Sequence, residues 1–317
     1  MNRITSPNTV LITGAGGYIG TRLVKQLLHH PAFVDSRLVL VDLKLPVIDD
    51  PRVTSIVGDL TKREVLSQVV EEEFSHVFHL AGILGGAAEE NYELSRLVNV
   101  ESSLDLLESL RRQSSTSRVI YASSIAVFGP PLPKLINDDT LPHPVMTYGA
   151  QKAMIETAIE QFSARGWIDG LAVRLPGIVA RPDADARLRS AFLNLIFYAA
   201  KDGKDFTMPV SENGTSWLIS VPTVVECLIH AALIHREKLG QRRAFTLPAQ
   251  VIRMGDLVDE LQKMFPNSQG HIDFVPDHAL DSQFASQPPL ETPFADSLGF
   301  RHDGDLPTLI SRAMTSI

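Results

Sequence analysis

The stretch "TYGAQKA", residues 147–153, places a tyrosine and a lysine four positions apart, Tyr148 and Lys152. On a helix that spacing is one turn, so both side chains share a face. A phenol with a pKa of about 10 is a poor base at neutral pH. An ammonium one turn away favours the phenolate and makes it a usable general base. Upstream, "YASSIAVFG" (121–129) closes an apolar run with Ser123 and Ser124. A serine hydroxyl at a strand end can hydrogen-bond a substrate oxygen and orient it toward the tyrosine. Each signal has a plainer alternative. Tyr-x-x-x-Lys often arises by chance, and paired serines at a strand end can simply satisfy backbone groups.

A second constellation lies near the start. "TGAGGYIG" (13–20) follows the apolar run Val10-Leu11-Ile12 and opens a helical stretch, with glycines at 14, 17 and 20. Backbone amides in such a turn, together with the helix N-terminus, can hold a pyrophosphate. The alternative is a tight strand-to-helix turn with no ligand. Asp42 ends the next apolar run about 20 residues beyond Gly20, where an acid binding a ribose diol is expected. That carboxylate would repel a 2′-phosphate, which favours NAD over NADP; Lys44 nearby acts in the opposite sense.

These groups need a scaffold, and the chain supplies an alternating one. Short β-rich runs cover 9–14, 37–43, 52–60, 76–82, 118–124 and 170–179. Between them, "GYIGTRLVKQLLHH", "TKREVLSQVVEEEF", "ELSRLVNVESSLDLLESLRRQ" and "YGAQKAMIETAIEQFSARG" carry apolar residues at three- and four-residue spacing, as amphipathic helices do. Strand–helix alternation implies a parallel, doubly wound α/β sheet of Rossmann type. Beyond about residue 180 the pattern changes to loop, helix and proline-broken segments. The expected division is a dinucleotide-binding domain from 1–176 and 221–249, and a smaller, discontinuous substrate domain from 177–220 and 250–317.

Bulk properties narrow the function. Hydrophobic residues make up 44% and charged residues 21% of the 317, ordinary for a globular protein. A net charge of −8 disfavours non-specific binding to nucleic acid or an anionic membrane. No apolar run reaches membrane-spanning length, and "MNRITSPNTV" lacks the apolar stretch of a signal peptide. The single cysteine, Cys227, sits in "VVECLIHAAL" and reads as a core residue. A reducing cytoplasm is the expected compartment. Ten histidines show no metal-ligand spacing, so no metal site is expected, and His79 reads as a core histidine.

Taken together, these motifs resemble those of the extended short-chain dehydrogenase/reductase family, which includes nucleotide-sugar epimerases and dehydratases. "TGAGGYIG" matches its T-G-x-x-G-x-x-G signature, "GDL" (58–60) its adenine-side Asp, "HLAG" (79–82) its fourth-strand motif, and "YGAQK" its catalytic pair. "SSIAVFG" resembles S-S-x-x-V-Y-G, with Phe128 in place of the usual Tyr. The resemblance implies Ser124, Tyr148 and Lys152 as catalytic residues, with Lys152 also on the nicotinamide ribose. It implies an NAD site built from Gly14, Gly17, Tyr18, Ile19, Asp42, Asp59, Leu60, Leu80, Ala81, Gly82, Asn99, Tyr148, Lys152, Leu175 and Ile178. Substrate contacts are implied for Gly85, Ser124, Tyr148 and Arg181.

Where nucleotide-sugar enzymes of the family carry R-D-x-I-x-V, with an Arg that clamps the diphosphate, this chain has "SWLISV", with Ser216 and Trp217 at the first two positions. A diphosphate lacks a cationic partner there. The stretches "GILGGAAEENYEL", "RLPGIVARPDA" and "SWLIS" instead resemble a branch of the family that oxidises C2 of a four-carbon sugar acid with NAD, although Gly177 stands where that branch has threonine. A small 2-hydroxy acid needs a carboxylate site, and Arg181 is the first candidate, then Arg187 and Arg189. The alternatives are a nucleotide-sugar epimerase or dehydratase, another small-molecule dehydrogenase acting on threonine or a uronate, and a redox sensor that binds the dinucleotide without chemistry. A homodimer is also expected, with helices near 90–112 and 147–165 pairing through Leu97, Leu104, Ile155 and Ile159; core packing is the competing account of those four.

Overall fold

Stretches of Val, Ile and Leu too short for helices become strands in the computed structural model, which describes residues 8–182, 184 and 189–315. In chain order the first six are β1 (Thr9–Thr13), β2 (Arg37–Asp42), β3 (Val53–Val57), β4 (His76–His79), β5 (Arg118–Ser124) and β6 (Asp169–Leu175). Then come β7 (Gly177–Val179), β8 (Phe206–Met208), β9 (Thr215–Ser220), β10 (Ala244–Thr246), β11 (Gln250–Arg253) and β12 (Ile272–Phe274). Seven of them form one sheet in the order β10-β6-β5-β4-β1-β2-β3. β1 pairs in parallel with β2 and β4, β2 with β3, and β4 with β5. Chain direction along the sheet therefore reverses at β1/β4, the crevice where open α/β sheets bind ligands at the carboxyl ends of their strands.

Helices cover this sheet: α1 (Tyr18–Leu27), α2 (Arg63–Val69), α3 (Gly85–Glu90), α4 (Tyr92–Arg96), α5 (Ser102–Leu110) and α6 (Thr147–Ala164). Their apolar faces meet the strands in a core that includes Leu11, Val39, Val77, Leu106, Val119 and Ile155. The chain divides into two units. One takes residues up to 123 with 146–174 and 228–244; the other takes 124–145, 175–227 and 245 onward.

Within the second unit, β9 pairs antiparallel with β11 and parallel with β7, while β12 pairs in parallel with β8. Helix α7 (Phe192–Asp202) packs its Ile196 and Phe197 into a separate core with Met208, Leu218, Leu257 and Ile310. It stops at Gly203, whose φ of +67° is the left-handed conformation that ends helices cheaply. A buried carboxylate organises the start of α8 (Val221–Leu233): Asp303 accepts from the Ser220 amide at 2.9 Å and from the Ser220 and Thr223 hydroxyls at 2.5 Å each. One turn on, Cys227 is buried and donates weakly to the Arg301 carbonyl at 3.6 Å. Burial pushes its thiol up to about 12.

Three local expectations change. The run 170–179 is not one strand, because it splits at Pro176 into β6 and β7, which join different sheets; proline has no N–H to continue a ladder. The helical stretch 93–113 contains a π-helical turn, Leu97–Glu101, between α4 and α5. Ile155 and Ile159 are fully buried in the core of the sheet unit, so α6 does not present them outward.

Candidate active site

The glycine turn is shaped by close backbone approach. Gly14 has φ +71°, and a Cβ there would lie 2.6 Å from the Ala81 amide nitrogen, so the β1–α1 turn is pressed against the end of β4. Gly17 is exposed and is the N-cap of α1; it has no side-chain cap bond, and no acid lies in the first turn, where Tyr18 and Ile19 are half-buried. The positive end of α1 therefore carries no side-chain anion of its own, which suits it to an anionic ligand. Asp42, at the end of β2, accepts from the Gly16 amide at 2.9 Å and the Leu43 amide at 2.6 Å. Its carboxylate is fixed by two backbone donors beside the turn. Asp59 accepts from the Thr61 amide at 2.9 Å and hydroxyl at 2.8 Å, and Leu60 beside it is buried.

The same wall continues into the Lys152 region. Leu80, Ala81 and Gly82 follow β4, and a Cβ on Gly82 would lie 3.2 Å from Asn99 Oδ1 and 3.6 Å from Lys152 Nζ. Asn99 sits in the π turn, which rotates its amide toward the segment after β4. There Asn99 Oδ1 accepts from the Ile83 amide at 2.7 Å, while Nδ2 donates to Ile83 O at 3.0 Å and Gln151 Oε1 at 2.7 Å. Gln151 in turn donates to Ser95 Oγ at 2.9 Å. Gly85 opens α3, within 3.6 Å (from an added Cβ) of Met146 Cε at the start of α6.

Tyr148 is half-buried in the first turn of α6, and Lys152 lies one turn later. Lys152 is buried, donates to Ala122 O at 2.7 Å, and sits 4.5 Å from the Tyr121 ring centroid and 5.6 Å from that of Tyr148. Burial pulls the lysine down to about 7, opposed by the Glu156 carboxylate. His79 is a satisfied core residue: its Nδ1 is 2.6 Å from Thr13 Oγ1 and its Nε2 is 2.8 Å from Ser103 Oγ. Burial, and then the Lys152 ammonium, hold it at about 3, so the ring is neutral.

Ser123 and Ser124 end β5 with different duties. Ser123 donates to Glu156 Oε1 at 2.5 Å; Ser124 accepts from the Ala126 amide at 3.1 Å and keeps a hydroxyl proton to donate. Leu175 ends β6, and Ile178 lies in β7 opposite Ile219. A Cβ on Gly177 would come within 3.0 Å of Trp217 O, so the glycine admits the close pairing of β7 with β9. Arg181 follows Ala180, whose φ of +57° is uncommon for a residue with a Cβ. Two α7 side chains hold that turn: Asn194 Oδ1 accepts from the Arg181 amide at 2.9 Å, and the Tyr198 hydroxyl donates to Ala180 O at 2.8 Å. Arg187 lies outside the described residues. Arg189 is exposed and lines a cavity of about 430 Å³ with Phe192, Phe206 and Asp277.

Reading by motif singles out Ser123 but not the buried Gln151, Glu156 and Arg174. The four-residue step from Lys152 to Glu156 is the sequence signal for the carboxylate of the Glu156–Arg174 pair. Ser216 and Trp217, which stand where a cationic clamp is expected in nucleotide-sugar enzymes, are engaged structurally: Ser216 donates to Phe284 O, and the Trp217 indole donates to Pro288 O at 2.7 Å.

A nicotinamide dinucleotide fits these residues, since the turn at 14–17 carries nothing larger than the buried Ala15 methyl, no acid lies in the first turn of α1, and Asp42 is anchored beside it. An oxidoreductase built on a dinucleotide-binding sheet is the class that the fold and these residues define. The profile of the NAD dependent epimerase/dehydratase family matches residues 10–244, and the chain belongs to that family as an NAD-dependent oxidoreductase. It is 34% identical over 307 residues to a D-erythronate dehydrogenase of Haemophilus influenzae, covering 96% of this chain and 98% of the relative. It is likewise 34% identical over 268 residues to a D-erythronate dehydrogenase of Cupriavidus necator, covering 82% of each. A solved structure described as a nucleoside-diphosphate-sugar epimerase from Agrobacterium tumefaciens superposes with a TM-score of 0.88 at 29% identity, covering 98% of this chain and 94% of that one. Among the described residues, no helix is long and apolar enough to cross a membrane.

Proposed function

We propose that this enzyme oxidises C2 of a short sugar acid of the D-erythronate type to the 2-oxo acid. The 34% identity to the Haemophilus influenzae D-erythronate dehydrogenase over nearly both whole chains carries this reading. Bound NAD supplies the acceptor for the C2 hydride. Tyr148 takes the proton of the C2 hydroxyl, Ser124 is assigned the hydrogen bond that orients it, and Lys152 favours the tyrosinate and holds the nicotinamide ribose. Arg181 is assigned the substrate carboxylate. Asp42 accepts from the adenosine ribose diol.

Incubation with NAD and D-erythronate, other four- to six-carbon aldonates, uronates and L-threonine, followed by NADH absorbance, tests the reaction. NADH is expected with a four-carbon aldonate. Production from L-threonine alone would transfer the assignment to that substrate. The likeness to the Agrobacterium protein supports an epimerase as the second reading; an epimerase returns its hydride and gives no net NADH. Replacing Arg181 by Met should raise KM for the aldonate by about 10–100-fold, the worth of a charge-assisted hydrogen bond, with NAD affinity unchanged. An unaltered KM would remove Arg181 from the site.

Asp42 predicts cofactor choice. Its carboxylate is held by two backbone amides, so a 2′-phosphate would meet an anion that cannot swing away. NAD should bind at least about tenfold more tightly than NADP. Equal affinities by fluorescence titration would remove Asp42 from its role.

The proposed homodimer changes its contact residues. With Ile155 and Ile159 in the core, the outward apolar residues on these helices are Tyr92, Leu94, Leu97 and Met154; Leu97 is 37% and Met154 57% exposed. C2 pairing would cover them. Light scattering at micromolar concentration should give twice the chain mass, and Met154→Glu should give the monomer. A monomeric wild type would end the proposal.

A further inference from the structure

Lys152 and Glu156 lie one turn apart on α6, and each is only 3% exposed. The lysine is tied to β5 through Ala122 O, and the next residue of that strand, Ser123, donates to Glu156 Oε1 at 2.5 Å. Arg174 of β6 closes the other side: its Nε donates to Glu156 Oε1 at 3.0 Å and its Nη2 to Oε2 at 2.8 Å. Glu156 thus joins α6, β5 and β6 at one carboxylate. A buried ion pair is a weak source of stability, because well-packed apolar side chains of similar volume often do as well.

We propose that Glu156 is a positioning residue for the Tyr148–Lys152 pair: it fixes the β5 end on which Lys152 rests and supplies the anion one turn from the lysine. The inference rests on the reading of that pair as catalytic. Lys152 is faced by the neutral His79 from β4, the Tyr121 ring from β5, Tyr148 on its own helix, and Arg174 from β6 by way of Glu156. In that setting burial works against the ammonium, and the Glu156 carboxylate is the group that opposes it. Without it the lysine deprotonates earlier and loses the charge that favours the tyrosinate.

The test needs neither cofactor nor substrate. Carbon NMR of the lysine Cε resonances, with Lys152 assigned from its absence in Lys152→Met, gives the lysine's titration midpoint directly. The wild-type midpoint should lie at about 7. Glu156→Gln keeps the shape and an acceptor for Ser123, and the double variant Glu156→Gln/Arg174→Met avoids leaving the arginine unpaired. In the single variant the midpoint should fall by about one pH unit, with about a tenfold loss of kcat/KM at pH 7, and in the double variant by less, because a cation leaves with the anion; Glu156→Asp should restore most of both. An unchanged midpoint in a folded charge-removed variant overturns the proposal. Ser123→Ala, which removes a single hydrogen bond, guards against misfolding of the others. It should shift the midpoint by a smaller amount, through the β5 end on which Lys152 rests, and no movement there also overturns the proposal. Full turnover by Tyr148→Phe would instead overturn the catalytic reading, whatever Glu156 does.

Discussion

Tyr148→Phe should lose turnover by about 10²–10⁴-fold, the usual cost of removing a general base, while NAD binds as in the wild type. The asymmetry follows from when the hydroxyl acts. It takes a proton as the hydride leaves, so its loss falls on the transition state and hardly on cofactor affinity. Lys152→Ala should damage both. The lysine is assigned the nicotinamide ribose, and its removal also deprives Ala122 O of a buried donor and Tyr121 of the cation near its ring. Initial rates of NADH formation and NAD titration separate the two variants. A Tyr148→Phe enzyme with most of its activity would end the mechanism, and the dinucleotide site would survive that result.

Asp169→Ala should cost stability on the order of 3–5 kcal/mol, the penalty for stranding buried charge. Asp169 opens β6 and pairs with Arg118 of β5 on one side and Arg243, just before β10, on the other, each at 2.8 Å. Both arginine side chains are less than a tenth exposed. Arg118 also donates to the carbonyl of Ile234 beyond α8. Removing one carboxylate thus leaves two guanidinium groups without their counter-ion where three adjacent strands begin. Thermal unfolding should show a fall of roughly 10 °C, and Asp169→Asn, which keeps acceptor geometry without charge, should fall between alanine and wild type. An unchanged transition would mean that solvent already screens this triad.

The parts of the molecule visible in its sequence are those where chemistry constrains neighbours in the chain. Gly14 and Gly20 must be small because backbone crosses them, and Tyr148 and Lys152 must be one turn apart to share a face. The parts that stay hidden depend on partners far away. β8 and β12 are three residues each and exist through their mutual pairing, 66 residues apart at Phe206 and Ile272. Pro176 reads as a tolerable interruption of an apolar run until the two halves are seen in different sheets. The π turn at Asn99 leaves no mark in the apolar spacing, since its reason is the Ile83 backbone and the Gln151 amide. Glu156 is likewise visible as a helix residue and invisible as a junction, because Ser123 and Arg174 come from two strands distant in the chain.

The buried Cys227 has a practical consequence for anyone who wants to watch this protein in motion. Its thiol is held at about 12 and shielded from solvent, so thiol-directed dyes and spin labels should pass it by at neutral pH. The natural chain is in effect a blank background. A cysteine introduced at exposed Met154 would be the one reactive handle on the molecule, and a probe there would report whether two copies meet along α6 without any native residue having to be removed first.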